Sequence, residues 1–241
     1  MRGIVTSIAH SIMVILAIIV FWVWPVLTER DFTFTCTKEL SKSICIPKDY
    51  AKIELPFTEK PNQVGIIIDI DDVLRIDDVT KTITFSTFFN VEWNERRLNI
   101  QQDFGASFRP PNTLGPVMVP MSTDILKDLW IPDILIYNLK TYKVMSVLNR
   151  LEGVWIDSYK NVLSSQATQI TFFCPMTFKK FPFDTHSCKF QVGSYSYDSS
   201  KMVFETRSYG YSYRETNGMA LDYDIRMYSH SYSKIRHYSF P

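Results

Sequence analysis

The chain has 241 residues, with 26 basic against 25 acidic side chains, 15% aromatic and 21% charged residues. Charge and apolar content near average values exclude a disordered chain, and 8 glycines with 12 scattered prolines exclude a collagenous or linker-rich one. A net charge of +1 with dispersed basic residues gives no field for gathering phosphate backbones, so no nucleic-acid partner is expected.

In chain order, residues 12–27 form an almost unbroken apolar run that stops before Glu29-Arg30-Asp31. This reads as an export signal over residues 1–28, and residues 29–241 follow as one domain. An uncleaved anchor is the alternative, because Pro25-Val26-Leu27-Thr28 lacks a small-x-small exit and a run of about 20 apolar residues can span a bilayer. Export places the four cysteines in an oxidising compartment, where an even count suggests two disulfides with three pairings to choose from. Sequence proximity favours Cys36 with Cys45 and Cys174 with Cys188. Free thiols or a metal site are the alternative, against which stand the lack of any Cys-x-x-Cys and a lone nearby imidazole, His186.

Residues 47–51 allow a short N-terminal helix. The acids Asp69, Asp71 and Asp72, then Asp77 and Asp78, read as solvated loop groups beside turns, with a calcium site as the alternative. Residues 82–93 alternate with period two: Ile83, Phe85, Phe89, Val91 and Trp93 share one face, and Thr82, Thr84, Ser86, Asn90 and Glu92 the other. This predicts a half-buried strand. Phe88 interrupts its polar face, where the domain's own core would not place a large ring, so something else should cover it. Further strands are predicted at 162–173, 189–192, 202–206 and 209–213, separated by turn formers such as Arg109-Pro110-Pro111-Asn112 and Thr216-Asn217-Gly218. Short strands joined by turns make an all-β, antiparallel β-sandwich the expected fold.

No nucleophile elbow, zinc-protease helix or phosphate-cradling glycine loop is present, so neither catalysis nor a cofactor or metal is expected. No Asn-x-Ser/Thr sequon occurs. The chain does hold thirteen residues between Cys174 and Cys188, with Phe181-Pro182-Phe183-Asp184 in their middle. Two phenylalanines on a loop tip would leave apolar area in water at about 25 cal/mol per Å², so the tip either meets a partner or folds back on its own sandwich.

The disulfide loop with its Phe-Pro-Phe-Asp resembles the signature loop of the pentameric Cys-loop ligand-gated ion channels. Three further stretches match that family in order: Trp93-Asn94-Glu95-Arg96-Arg97-Leu98, Trp130-Ile131-Pro132-Asp133-Ile134-Leu135-Ile136-Tyr137-Asn138 and Gly193-Ser194-Tyr195-Ser196-Tyr197. The first of them, with Asn161-Val162-Leu163-Ser164-Ser165, is similar to the glycine and GABA receptor branch. The family's extracellular domain is a β-sandwich.

The resemblance implies a small-molecule ligand bound between subunits of a homo- or hetero-pentamer, in a box of aromatic rings whose faces attract an ammonium by about 0.5 to 2 kcal/mol each. Tyr137 would fall in loop A and Tyr195 in loop B of the principal face. Phe88 and Asn90 would fall in loop D and Ser165 in loop E of the complementary face, and Tyr232 and Tyr238 in loop C. The loop tip Phe181, Pro182, Phe183 and Asp184 would couple binding to a pore. Asn90 stands where glycine and GABA receptors carry an arginine for the ligand carboxylate, and Gly193 where a glycine receptor has an acid near the ligand amine. The expected ligand is therefore an amine, with an unrelated ligand or none as the alternatives. His230 and His237 raise a pH or zinc response as an option beside two plain surface histidines.

The chain stops at Pro241 without the four membrane helices of the family's pore, so the membrane would be reached through that absent domain or through partner subunits. The expectation is a channel subunit's extracellular region on the secretory route to the outer face of the plasma membrane, truncated before the pore. A secreted binder of the acetylcholine-binding-protein type and a monomeric β-sandwich adhesion module are the two alternatives.

Overall fold

The computed structural model describes residues 36–41, 43–101, 104–109, 115–180 and 183–207. The apolar leader, the turns at 110–112 and 216–218, the strand expected at 209–213, Phe181, Pro182, His230, Tyr232, His237 and Tyr238 lie outside them.

Among the described residues, the strands in chain order are β1 (Cys36–Ser41), β2 (Ile44–Pro47), β3 (Asn62–Asp77), β4 (Thr82–Asn94), β5 (Asn99–Ile100), β6 (Val119–Met121), β7 (Ile134–Ile136), β8 (Leu139–Val144), β9 (Glu152–Ile156), β10 (Asn161–Phe173), β11 (Val192–Ser194) and β12 (Met202–Thr206). The largest sheet runs β12-β3-β4-β10-β9-β6, with β8 also on β10; β1-β2-β5 and β11-β7 form two smaller sheets. The pairings are antiparallel except that of β12, which runs parallel to β3. This is the expected all-β sandwich architecture.

Register explains the core. Phe204, Val64, Trp93, Val162, Ile156 and Val119 are successive cross-strand partners over the six strands of the large sheet, so one row of apolar side chains crosses its inner face. Ile66, Val91, Ser164, Val154 and Met121 form the next row. Phe190, just before β11, closes one end of the core edge-on against Phe85 and Phe172, at centroid distances of 5.9 and 5.5 Å. Both disulfides are those proximity favours, Cys36–Cys45 and Cys174–Cys188.

Three local readings are corrected. Residues 47–51 form a turn rather than a helix: the Pro47 carbonyl accepts from Tyr50 N–H at 3.3 Å, and the Tyr50 hydroxyl is pinned from outside by Trp130 N–H at 2.7 Å. Asp69, Asp71 and Asp72 sit inside β3, not on a loop; Asp77, at its end, does shape a turn by accepting from Val79 and Thr80 N–H. The strand expected at 189–192 is displaced to β11, because the Asn138 side chain takes the ladder's place by donating to Lys189 O at 2.6 Å and accepting from Gln191 N–H at 3.4 Å.

Tyr142 on β8 reaches Gln166 Oε1 at 2.9 Å and meets Phe89 edge-on, and burial pushes its pKa up to about 12. A phenol whose folded pKa lies above its unfolded value contributes stability that is present below pH 10 and lost as pH rises through the folded value. Unfolding free energy should therefore fall between about pH 10 and 12, by at most about 1.4 kcal/mol per pH unit per such phenol. Tyr142→Phe should flatten part of that slope in urea titrations at stepped pH; an unchanged slope would remove Tyr142 as its source.

Candidate functional site

Two separate groups of sequence-predicted residues emerge. The first stands on the β7-β11 pair, where Ile136, Leu135 and Ile134 partner Val192, Gly193 and Ser194. Asp133 organises its end: the carboxylate accepts from Ser194 Oγ at 2.7 Å and Ser196 N–H at 2.6 Å, while the Asp133 carbonyl accepts from Tyr195 N–H at 3.3 Å. Ser194 Oγ in turn accepts from Tyr197 N–H at 2.8 Å. These bonds fix the turn that lifts Tyr195 to 79% exposure.

Tyr137 follows β7 and is held by its N–H on Gln191 O at 3.0 Å. Its ring lies across Gly193, so closely that a Cβ there would stand 2.9 Å from both Cε2 and the phenol oxygen. The ring nevertheless remains 43% exposed. Tyr137 lying on Gly193 and Tyr195 two residues further along thus leave two rings exposed beside the β7-β11 pair, and ring faces suit an apolar or cationic ligand.

The second group is on the outer face of the large sheet. Asn90 and Ser165 are direct partners between β4 and β10, and Phe88 stands two residues from Asn90 on the same face, opposite Ala167. Phe88 is 48% exposed although its flanking neighbours Ser86, Thr87, Phe89 and Asn90 are buried. The polar face of this strand is thus more enclosed than the alternation suggests. Glu92 is buried against Arg207 at 2.8 Å, and Arg207 lies over Gly65, where an added Cβ would meet its side chain at 2.6 Å. Asp69, the register partner of Phe88 on β3, accepts from Asn90 Nδ2 at 3.0 Å.

Among the described residues, no three His, Cys, Asp or Glu side chains are grouped to hold a metal ion. In the disulfide loop, Asp184 turns back to accept from Lys180 N–H at 2.6 Å, while Phe183 stands 87% exposed. Phe178 in the same loop carries the Lys81 ammonium 4.4 Å over its ring and His186 against its edge.

Residues 38–236 match the family described as the neurotransmitter-gated ion-channel ligand binding domain. The chain belongs to that family. Over 151 residues it is 30% identical to the glycine receptor subunit beta of Rattus norvegicus, covering 60% of the chain and 29% of that subunit. It is 26% identical over 152 residues to the gamma-aminobutyric acid receptor subunit gamma-4 of Gallus gallus, 62% of the chain and 30% of the relative. With the rho-1 subunit of Homo sapiens the figure is 22% over 176 residues, 73% of the chain and 34% of the relative. The neurotransmitter-gated channel domain described here is thus closer to the glycine and GABA receptor branch, and it spans about a third of the length of the relatives it matches.

Within this ligand-binding domain two supporting parts escape a reading of the sequence. Asp133 is visible in the Trp130-Ile131-Pro132-Asp133 stretch, yet its task of shaping the Tyr195 turn needs the fold. Tyr50, Glu95 and Arg97 form the other. The fully buried Glu95 carboxylate receives Arg97 Nε and Nη2 at 2.6 and 2.7 Å and the Tyr50 hydroxyl at 2.9 Å, and that same hydroxyl accepts from Trp130 N–H. Burial works against the Arg97 charge, but the Glu95 hydrogen bonds and charge outweigh it and hold its pKa above the ordinary value. The cluster thereby clamps the start of the segment that ends in Tyr137. Within the Trp93-to-Leu98 stretch, Glu95 and Arg97 thus serve as a clamp.

Proposed function

We propose that the domain binds a small amine between adjacent subunits of a pentamer, with Tyr137 and Tyr195 on one subunit facing Phe88, Asn90 and Ser165 on the next. Tyr232 and Tyr238 would complete the principal half. Binding would be passed to a pore through the Cys174–Cys188 loop, whose exposed Phe183 is the contact point on this side. The protein would reach the outer face of the plasma membrane through the secretory pathway, directed by residues 1–28.

The observation that carries the reading is that Phe88 on the large sheet, and Tyr137 and Tyr195 just beyond β7 and β11, remain exposed in one chain. Each set of rings is half a box, and a second subunit supplies the other half.

A mixing experiment tests it. Phe88→Ala and Tyr195→Ala should each abolish binding of amine probes such as choline, tyramine and serotonin when expressed alone. Co-expression should restore sites, because a junction between the two variants pairs an intact principal face with an intact complementary face. Failure of the mixture to regain binding that unmodified chains show would sink the intersubunit arrangement. With a pore domain joined to the chain, Phe183→Ser should impair gating while leaving probe affinity unchanged; normal gating would remove the loop tip from the transmission route.

A further inference from the structure

We infer that Asp69 is the counter-charge of this site, so that the complementary half selects a cationic amine and rejects ligands bearing a carboxylate. The inference rests on the intersubunit reading above and adds the group that sets ligand class.

Asp69 is the direct register partner of Phe88, so its carboxylate leaves the sheet on the side of the exposed ring. Asn90 Nδ2 donates to Asp69 Oδ2 at 3.0 Å and to the Phe88 carbonyl at 3.3 Å, which ties the acid to the backbone beneath that ring. Asp72, opposite Ser86, adds a second acid one pair further along the same face.

Among the described residues, the basic groups around this face are engaged or remote, Arg150 lying 3.6 Å from Glu152. Arg207 is bound to Glu92 at 2.8 Å and lies 3.7 Å from Glu205. Arg75, opposite Thr84, is bound to Asp77 at 2.5 Å. Lys143 stands opposite Gln169 on β8, on the far side of β10 and β4 from Asp69. The register partners of Phe88, Asn90 and Ser165 are Asp69, Ala167, Ile67 and Gly153, none of them basic.

Among the described residues of the principal half, the acids are turned to their own loops. Asp133 is committed to Ser194 and Ser196, and Asp198 accepts from Ser200 N–H and Oγ at 2.9 and 2.6 Å. Gly193 has the Tyr137 ring where a side chain would be. Across the proposed subunit junction, ring faces from Tyr137 and Tyr195 would meet Phe88, and Asp69 is the carboxylate paired directly beside that ring. An ammonium gains from both rings and carboxylate, whereas a ligand carboxylate would meet like charge.

The test uses matched probes on the full chain, sized by light scattering: choline against betaine, which has a carboxylate in place of the hydroxymethyl group, and tyramine against tyrosine, which adds one, the ammonium being kept in each pair. Calorimetric titration should show at least one amine binding about tenfold or more tighter than its carboxylate-bearing partner. Asp69→Asn, which keeps a side-chain oxygen for Asn90, should weaken that amine about tenfold and shrink the discrimination. Asn90→Arg, which neutralises Asp69 in place, should reverse the preference. Equal or tighter binding of the carboxylate-bearing probe, amine affinity indifferent to Asp69→Asn, or no binding of either amine would overturn the inference. A chain that stays monomeric while binding amines in an Asp69-dependent way would instead sink the intersubunit arrangement and leave Asp69 standing.

Discussion

Arg97→Met should lower the unfolding free energy by about 3–5 kcal/mol, the cost of leaving a buried carboxylate without its partner. Glu95 has no exposure, and Arg97 supplies two of the charge-assisted bonds to its oxygens. The same guanidinium donates from Nη1 to the carbonyls of Ala51 and Glu54, both at 2.9 Å, and stacks 4.3 Å over the Tyr50 ring. Methionine retains most of the aliphatic packing but none of the five donors, so the loss falls chiefly on the buried Glu95 carboxylate. Urea titration should show a lower midpoint with an unchanged slope. Adding Glu95→Leu to Arg97→Met should recover part of the loss, since removing both charges is gentler than removing one. A single-variant loss under about 1 kcal/mol would show that water reaches Glu95 and that the clamp is not a buried pair.

The second large effect is expected from opening the Cys174–Cys188 bridge. Replacing both cysteines with Ala should cost about 3 kcal/mol from the restored freedom of the loop in the unfolded chain. Cys174 is itself fully buried just after β10, so the loop root packs in the core while Phe183 stands in solvent. Within the loop, Asp184 on Lys180 N–H and Phe183 N–H on Lys180 O at 2.8 Å are short-range bonds that brace the tip without tying it to the sheets. Opening Cys36–Cys45 should cost less, about 2.5 kcal/mol or below, because its loop is shorter and β1 and β2 are already paired across it. Equal losses for the two double variants, measured as urea midpoints, would argue that loop closure does not set their contributions.

How far the fold is legible depends on which period the side chains keep. In β4 polar and apolar residues mark two faces, and for β4 and for the more weakly patterned β10 the expected bounds agree with the observed ones to within a residue. β3 escapes because Ile66, Ile67 and Ile68 mask its alternation and the register then slips between Ile70 and Asp72. Its acids therefore look like a charged loop, which hides Asp69 from any site made by sequence alone. Phe88 is legible for the opposite reason: a ring among Ser86, Asn90 and Glu92 conflicts with a single-chain core. The Tyr137–Gly193 contact is not, since a glycine in sequence gives no sign of which ring needs its missing Cβ. Asp133 and the Tyr50 clamp likewise join residues whose proximity only the fold creates.

The parallel pairing of β12 with β3 joins Met202 to Asn62, partners about 140 residues apart. At a ribosomal rate of about 5–20 residues per second, the outer margin of β3 waits about 7–28 s for the segment that will cover it. During that interval a nascent chain exposes the hydrogen-bonding groups of the Val64-to-Ile68 stretch, an invitation to misassembly between neighbouring polypeptides. Chaperone demand during synthesis should accordingly be concentrated on this margin, and it should end when β12 docks.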